Sequence, residues 1–413
     1  MPIHPILASL RHHKLTSLLL VLQVTLTAAI VCNVASLIAT RITDISVVTG
    51  VQEAGLSVLD VTDVGPAGDA QARHTRDLAL LRAIPGVQAA AAVRGSLPLN
   101  QNGWTSTACD SQGDMDRVHQ LHSSKVTGCS NASIYHGGPG ELALLGLKLT
   151  AGRDFDPAEY VLPGHDNENP VPAAILSRSL AEHLFPGVDA VGKQIYVGRK
   201  TIRVVGVVDT LVKPYLHEPG SDSDTMLQPV LPDGGGVMYL LRSDPKDQAE
   251  VLREAKAVLL KTDPQRVIQN TQTYAELRNS YFRRDYTMIG LLLTSALGLL
   301  TVTAIGIAGL AGFWVQQRTR QIGVRRAVGA RRRDVLRHFQ LENFLIVGTG
   351  IVLGLGLAEL LNMVLVRGYG VAPLPPVYLP VTALLLLALG QFAVLNPALH
   401  ASRIPPATAA RNV

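Results

Sequence analysis

Gly187 to Gln194 reads GVDAVGKQ, one residue short of a phosphate-binding loop. The G-x-x-x-x-G-K spacing is there, but Gln194 stands where a Ser or Thr hydroxyl would hold magnesium. The residues that follow read as a β-strand, whereas that motif must open a helix. A second glycine pattern, GLGLAE from Gly354 to Glu359, sits in an apolar run and is not a dinucleotide fingerprint. His119 and His122 are three residues apart, with His136 and His165 nearby, but no cysteine or acid is placed to complete a metal set. Solvated histidines are the plainer reading, and no metal is assigned. No Ser-His-Asp or Cys-His constellation can be argued either, so no catalytic residue is named.

Two groupings remain. Cys109 and Cys129 lie in a long polar region, whereas Cys32 lies in an apolar run and reads as a packing residue. If the polar region is outside the cytoplasm, a disulfide between Cys109 and Cys129 is allowed and worth on the order of 3 kcal/mol. Two free thiols are the alternative. The other grouping is Gln316 to Phe339, QQRTRQIGVRRAVGARRRDVLRHF, with eight arginines against one acid, Asp334. Val324, Ala327 and Val328 form a narrow apolar stripe at helical spacing, and Gly329 interrupts the helix. Arginines in a short loop between two apolar runs place that loop in the cytoplasm.

These residues must be positioned by a part-membrane chain. It is 47% hydrophobic, only 5% aromatic and 17% charged, with a net charge of +5. Residues 41–285 carry about 24 basic and 29 acidic groups, and the remainder about 13 and 3. The excess positive charge therefore flanks apolar runs rather than forming a basic face, so nucleic acid is excluded as a partner. Leu15 to about Ile38 runs roughly 24 residues without a charge, enough to cross a bilayer core. It is too long for the core of a signal peptide and is read as a retained helix. Gln23 and Asn33 within it are polar and expected to face other helices. Further spans are expected at Tyr286 to about Val315, Leu341 to Val366 and Leu379 to Ala398. The second contains Gly298, Gly306 and Gly312, which allow close helix packing. Glu342 and Glu359 lie at opposite ends of the third.

Between the first and second spans lies a region long enough for one or two domains. Ser177 reads as the N-cap of a helix whose face is Leu180, Ala181 and Leu184, stopped by Pro186-Gly187. Gln194–Val197 and Thr201–Val208 read as a hairpin. Asp244 reads as the cap of a helix reaching Lys261. The region is therefore mixed α+β.

The basic segment resembles the cytoplasmic coupling segment of FtsX-like and MacB-like ABC transporter permeases, which docks on a separate ATPase. The resemblance implies an ATPase-coupling role for Arg318, Arg320, Gln321, Ile322, Gly323, Arg325, Arg326, Ala327, Gly329 and Ala330. Gln321 departs from an acid in the family pattern, and Arg331 replaces a hydroxyl that would cap the next helix. Glu141 to Thr210 resembles the MacB-type periplasmic core domain, with Phe185, Pro186, Gly187, Gly192 and Gly206 in register. From Ile42 to Tyr135 the likeness is poor. The closing Pro397, Ala398, Ala401, Arg403, Pro406, Ala409 and Arg411 match the family's tail.

The expected fold is an α-helical integral membrane protein. Four transmembrane helices carry a large α+β periplasmic domain inserted between the first and second. The expected divisions are a cytoplasmic N-terminus 1–14, a helix 15–40, a MacB-like periplasmic core domain 41–284 and a helix 285–315. The coupling segment 316–339, a helix 340–366, a periplasmic loop 367–378, a helix 379–399 and a cytoplasmic tail 400–413 follow. The resemblance implies a permease subunit in the bacterial inner membrane, not itself an enzyme, used for efflux. Its partners would be a MacB-type ATPase, a second permease copy, membrane lipids, and a periplasmic adaptor with an outer-membrane channel. No cofactor is expected on this chain; ATP and Mg belong to the ATPase. Lipoprotein release and control of a cell-wall enzyme are alternatives within the class. A membrane-anchored receptor or scaffold without transport is the alternative outside it.

Overall fold

The structure is a computed structural model. It describes residues 14–63, 70–162, 170–216, 221–232, 234, 236–319, 322–324, 328–329, 331–369 and 373–403. In chain order, α1 (Lys14–Ile45) precedes β1 (Leu56–Thr62), α2 (Ala70–Arg82), β2 (Val87–Val93), β3 (Trp104–Cys109), α3 (Gln112–Leu121) and β4 (Cys129–His136). Next come α4 (Glu141–Leu145), β5 (Leu149–Gly152), β6 (Ala173–Ser177), α5 (Arg178–Leu184), β7 (Gln194–Val197), β8 (Lys200–Val208) and β9 (Thr225–Gln228). The chain closes with β10 (Gly236–Ser243), α6 (Gln248–Thr262), β11 (Val267–Thr273), α7 (Tyr274–Tyr281), α8 (Arg283–Gln317), α9 (Arg332–Tyr369) and α10 (Tyr378–Arg403). Two units result, one of residues 47–283 and one joining residues 1–46 to 284–413.

The 47–283 unit holds two sheets. The first has the order β11-β1-β10-β2, all neighbours antiparallel. Helix α2 links β1 to β2 and α6 links β10 to β11, so this is a split β-α-β arrangement with everything from β3 to β9 inserted in the middle. Strand alternation explains its core: Leu59, Val61, Tyr239 and Leu241 face Leu81 of α2 and Val251, Leu252, Ala255 and Leu259 of α6. Buried charges tie α2 down. Arg266 pairs with Asp63 at 2.9 Å and Asp77 at 2.7 Å, and the Tyr239 hydroxyl donates to Asp77 at 2.8 Å.

The inserted sheet has the order β5-β8-β6-β9-β4-β3-β7, and β7 pairs again with β8. Six strands thus close into a ring of pairings around Ala132, Ile134, Leu176, Ile195, Ile202, Val204 and Met226. Closure removes exposed edges. Ser177 caps α5 as its spacing predicts, accepting from the Leu180 amide at 3.3 Å. The β7–β8 turn places Gly198 at φ +60°. The helix expected from Asp244 begins later, with Asp247 as its N-cap. The Asp244 carboxylate accepts the Lys246 amide at 3.1 Å, closing a turn before the helix can start. Between the two sheets, Arg242 donates to the carbonyls of Gln52, Ala54 and Leu144, fastening α4 to the β1–β10 pair. Glu141, at the first position of α4, is buried, and its Oε1 finds no hydrogen-bond partner. Gly137 leaves room for that carboxyl, because a Cβ there would lie 1.7 Å from Glu141 Oε2.

The other unit contains four helices long and apolar enough to cross a membrane: Thr16–Ile45, Arg283–Gln317, Arg332–Gly368 and Tyr378–Ser402. Leu20, Val24 and Ala28 of α1 pack with Ile307 and Trp314 of α8, Ile346, Val347 and Ile351 of α9, and Leu386 of α10. Helix α1 continues to Ile45, past the end of its apolar run, and there Arg41 pairs with Asp285 of α8 at 2.9 Å. The polar residues of α1 face neighbouring helices. Gln23 donates to Val302 O at 3.3 Å, the Thr27 and Thr303 hydroxyls meet at 2.8 Å, and Asn33 donates to Ala29 O within its own helix and to Ala358 O of α9.

Candidate functional site

At the junction of α8, α9 and α10 the chain builds a small apolar knot of Val315, Ile322, Val335, Phe339, Ala398 and Ala401. Within the basic segment the Ile322 amide donates to Arg318 O at 2.9 Å, and the Val328 amide to Val324 O at 3.1 Å. Ile322 is 6% exposed, whereas Val324 is 57% and Val328 83% exposed. The segment therefore turns one apolar residue inward as an anchor and presents two valines to solvent. Gly329 follows at φ +104°, a left-handed conformation that a side chain strains. It ends the helical turn and lets the chain re-enter as α9.

Arg318 also points inward. Its Nη1 lies 3.1 and 3.0 Å from the two oxygens of Glu342, which is 2% exposed. Nearby Asn343 donates to Gly390 O at 2.9 Å, joining α9 to α10. The start of α9 lacks a hydroxyl cap, but Asp334 accepts the Arg331 amide at 3.0 Å. That is the reciprocal half of a capping box, an acid three residues after the N-cap, and it was legible in R-R-R-D. Six of the ten residues to which the resemblance gave a coupling role, Arg320, Gln321, Arg325, Arg326, Ala327 and Ala330, lie outside the described residues. So do Pro406, Ala409 and Arg411 of the tail. Gly323 is buried and Gly329 exposed.

Elsewhere, the chemistry-bearing residues take structural roles. Lys193 of the near-phosphate loop lies over the Phe185 ring at 4.7 Å, and strand β7 begins at Gln194. Ser179, His183 and Asp224 come together, but both the Ser179 hydroxyl, at 2.6 Å, and His183 Nδ1, at 2.9 Å, contact the buried Asp224 carboxylate. With its proton directed to the carboxylate, that serine is not activated by the histidine. No group of three metal-binding side chains is found among the described residues. Cys109 and Cys129 face each other across the β3–β4 pairing and are disulfide-bonded, and Cys32 is a buried free thiol. Of the three glycines expected to pack helices, Gly306 faces Gln23, with an added Cβ at 2.7 Å from its side chain. Gly298 and Gly312 face open space, and the tight helix contacts are instead at Gly350 and Gly354 of α9 against α1.

Two family descriptions match this chain. Residues 17–272 fit the MacB-like periplasmic core domain, and residues 293–406 fit the FtsX-like permease C-terminal domain. The chain belongs to the MacB/FtsX-type family of ABC transporter permeases. The first match extends through Ile42–Tyr135, where the motifs alone showed little likeness. The macrolide export ATP-binding/permease protein MacB of Agrobacterium fabrum is 30% identical over 247 residues, covering 56% of this chain and 36% of its own. That of Nitrobacter winogradskyi is 28% identical over 250 residues, covering 57% and 38%. The chain thus spans little more than a third of these relatives. Among solved structures, the extracellular domain of the noncanonic ABC-type transporter YknZ is 15% identical, covering 52% of this chain and all of its own, with a TM-score of 0.33. The periplasmic region of MacB from Actinobacillus actinomycetemcomitans is 14% identical, covering 56% and 94%, with a TM-score of 0.32.

Proposed function

We propose that this MacB/FtsX-type chain is the permease subunit of an ATP-driven exporter in a bacterial inner membrane. The four apolar helices cross the bilayer, and the 47–283 unit lies on the periplasmic side between the first and second. The basic segment after α8 faces the cytoplasm, where it receives a MacB-type ATPase subunit that carries the ATP and Mg. The single observation supporting this reading most is the exposure of Val324 and Val328 beside the inward-anchored Ile322 and Arg318. Two solvent-facing valines on a segment rooted in the helix bundle are an apolar contact awaiting a partner. Rooting matters for function. A segment held by a buried ion pair and an apolar knot moves with α8 and α9, so displacement by the ATPase reaches the helices rather than dissipating in a loose loop. The open face of α8 at Gly298 and Gly312 suits a second permease copy. An adaptor and outer-membrane channel complete the efflux reading.

The test replaces Val324 and Val328 with Asp together. Both are exposed, so folding is expected to change by no more than about 0.5 kcal/mol. The wild-type protein purified from native membranes should bring an ATPase with it, and the double variant should lose it. Full retention of the ATPase by the variant overturns the reading.

A further inference from the structure

The face of the first sheet that turns away from α2 and α6 carries an acid in the middle of a central strand. Asp60 alternates with Leu59 and Val61, which enter the helix-covered core, so its carboxylate emerges on the opposite face. Aspartate is among the least favourable residues for a strand interior. The pairing of β1 with β11 also slips between Asp60 and Val61, leaving a bulge beside it. Bulges re-aim side chains and recur beside binding sites.

Above Asp60 lies a cavity of about 190 Å³, open to solvent on one side. Val58 and Met238 form its apolar floor, and Asn270 and Gln272 of β11 stand alongside. Its far wall is the loop from Leu99 to Asn102. Leu99 and Gln101 there hold φ of +64° and +57°, left-handed conformations that cost non-glycine residues energy. The loop is kept in that shape by bonds to its surroundings. The Gln101 amide donates to Pro214 O at 3.3 Å, the Tyr215 hydroxyl donates to Gln101 O, and Asn100 bonds both Gly95 O and the Asn102 amide. Three local departures from ordinary strand and loop chemistry thus converge on one cavity.

Among the described residues lining the cavity Asp60 is the lone charge. Burial raises its pKa from the ordinary aspartate value. A lone carboxylate surrounded by amides is too poor in anionic oxygens for a hard divalent ion, which takes six to eight oxygen ligands. It suits a single positive charge flanked by hydroxyls, which the amide groups can both donate to and accept from. The cavity has the volume of about six waters, so it takes a head group rather than a whole drug-sized molecule.

We infer that the Asp60 cavity is a binding site for a small hydroxylated organic ammonium, with the Asp60 carboxylate pairing its nitrogen and the surrounding amides its hydroxyls. The experiment titrates the full-length protein in detergent with glucosamine, and separately with glucose, by calorimetry. Glucosamine should bind saturably, and glucose about tenfold more weakly or worse, because it lacks the charge that Asp60 neutralises. Asp60→Asn should abolish the preference for glucosamine over glucose. Equal binding of the two sugars by the wild-type protein, or no saturable binding of glucosamine, overturns the inference, and neither result depends on the variant folding. Retention of the preference in Asp60→Asn overturns it as well. Displacement of glucosamine by micromolar calcium also overturns it, in favour of a metal site.

Discussion

Replacing Glu141 with glutamine removes an ionisable group from the interior of the 47–283 unit while keeping its shape. Burial, with the nearby Asp154 charge as the smaller cause, pushes its pKa up from 4.5 to about 8. The sign follows from proton counting. Between pH 4.5 and 8 the folded state holds a proton that the unfolded state has released, so stability falls as pH rises across that window. Full ionisation costs about 4 to 5 kcal/mol, and the part lost between pH 5.5 and 8 is about 3 kcal/mol. For a unit of this size that is a fall in melting temperature of roughly 6–12 °C. The assay is thermal unfolding of the full chain in detergent. With Trp314→Phe in both proteins, Trp104 of the 47–283 unit is the remaining tryptophan. All other titrations are shared, so the difference between wild type and Glu141→Gln isolates this group. The gap should widen with pH, the variant being the more stable above pH 7. Melting curves that stay parallel from pH 5.5 to 8 would show that Glu141 ionises in place without penalty, and the reasoning would fail.

The disulfide predicts that a thiol titration of the denatured, unreduced protein finds one free thiol, Cys32; three would refute it. Breaking the Arg318–Glu342 pair with Glu342→Gln should destabilise the helical unit by about 1–3 kcal/mol, less than a wholly buried pair because Arg318 retains some exposure. A double-mutant cycle with Arg318→Ala measures the coupling, and additivity would deny it. Gly354→Val should separate α1 from α9, because even a Cβ there would sit 2.5 Å from Ala28 and 2.6 Å from Thr25 O. The cost is about 1–3 kcal/mol or more, read as a lower melting temperature in detergent. Gly312→Val, facing open space, should leave the melting temperature of the isolated chain unchanged.

The four apolar helices were readable because spanning a bilayer demands length and hydropathy, which any window of sequence carries. Their ends were not. Helix α1 persists to Ile45 because Arg41 and Asp285 pair across 244 residues, a contact no local pattern announces. The β6-α5 and β7-β8 stretches were legible through Ser177 and Gly198, whose roles are local. The ring of six strands was not, since its closure depends on β3 pairing with β7 across all the elements between them. In the basic segment the apolar stripe was visible, but its direction was not: Ile322 turns in while Val324 and Val328 turn out. Arg318 and Glu342 each stood out as charges at the edge of a span, yet their pairing depends on how α8 meets α9. Asp60 does not stand out in the sequence, because the face a lone acid in a β-rich stretch occupies is set only by the strands that pair on either side of it.

The central claim is that the exposed valines dock an ATPase, and it is tested most directly by placing a photo-reactive amino acid at Val328 and irradiating native membranes. The account predicts a cross-linked product in which mass spectrometry identifies a nucleotide-binding ATPase chain, absent when the probe sits at the lipid-type position Leu293. Cross-linking at Val328 only to lipid or to other copies of this chain would contradict it.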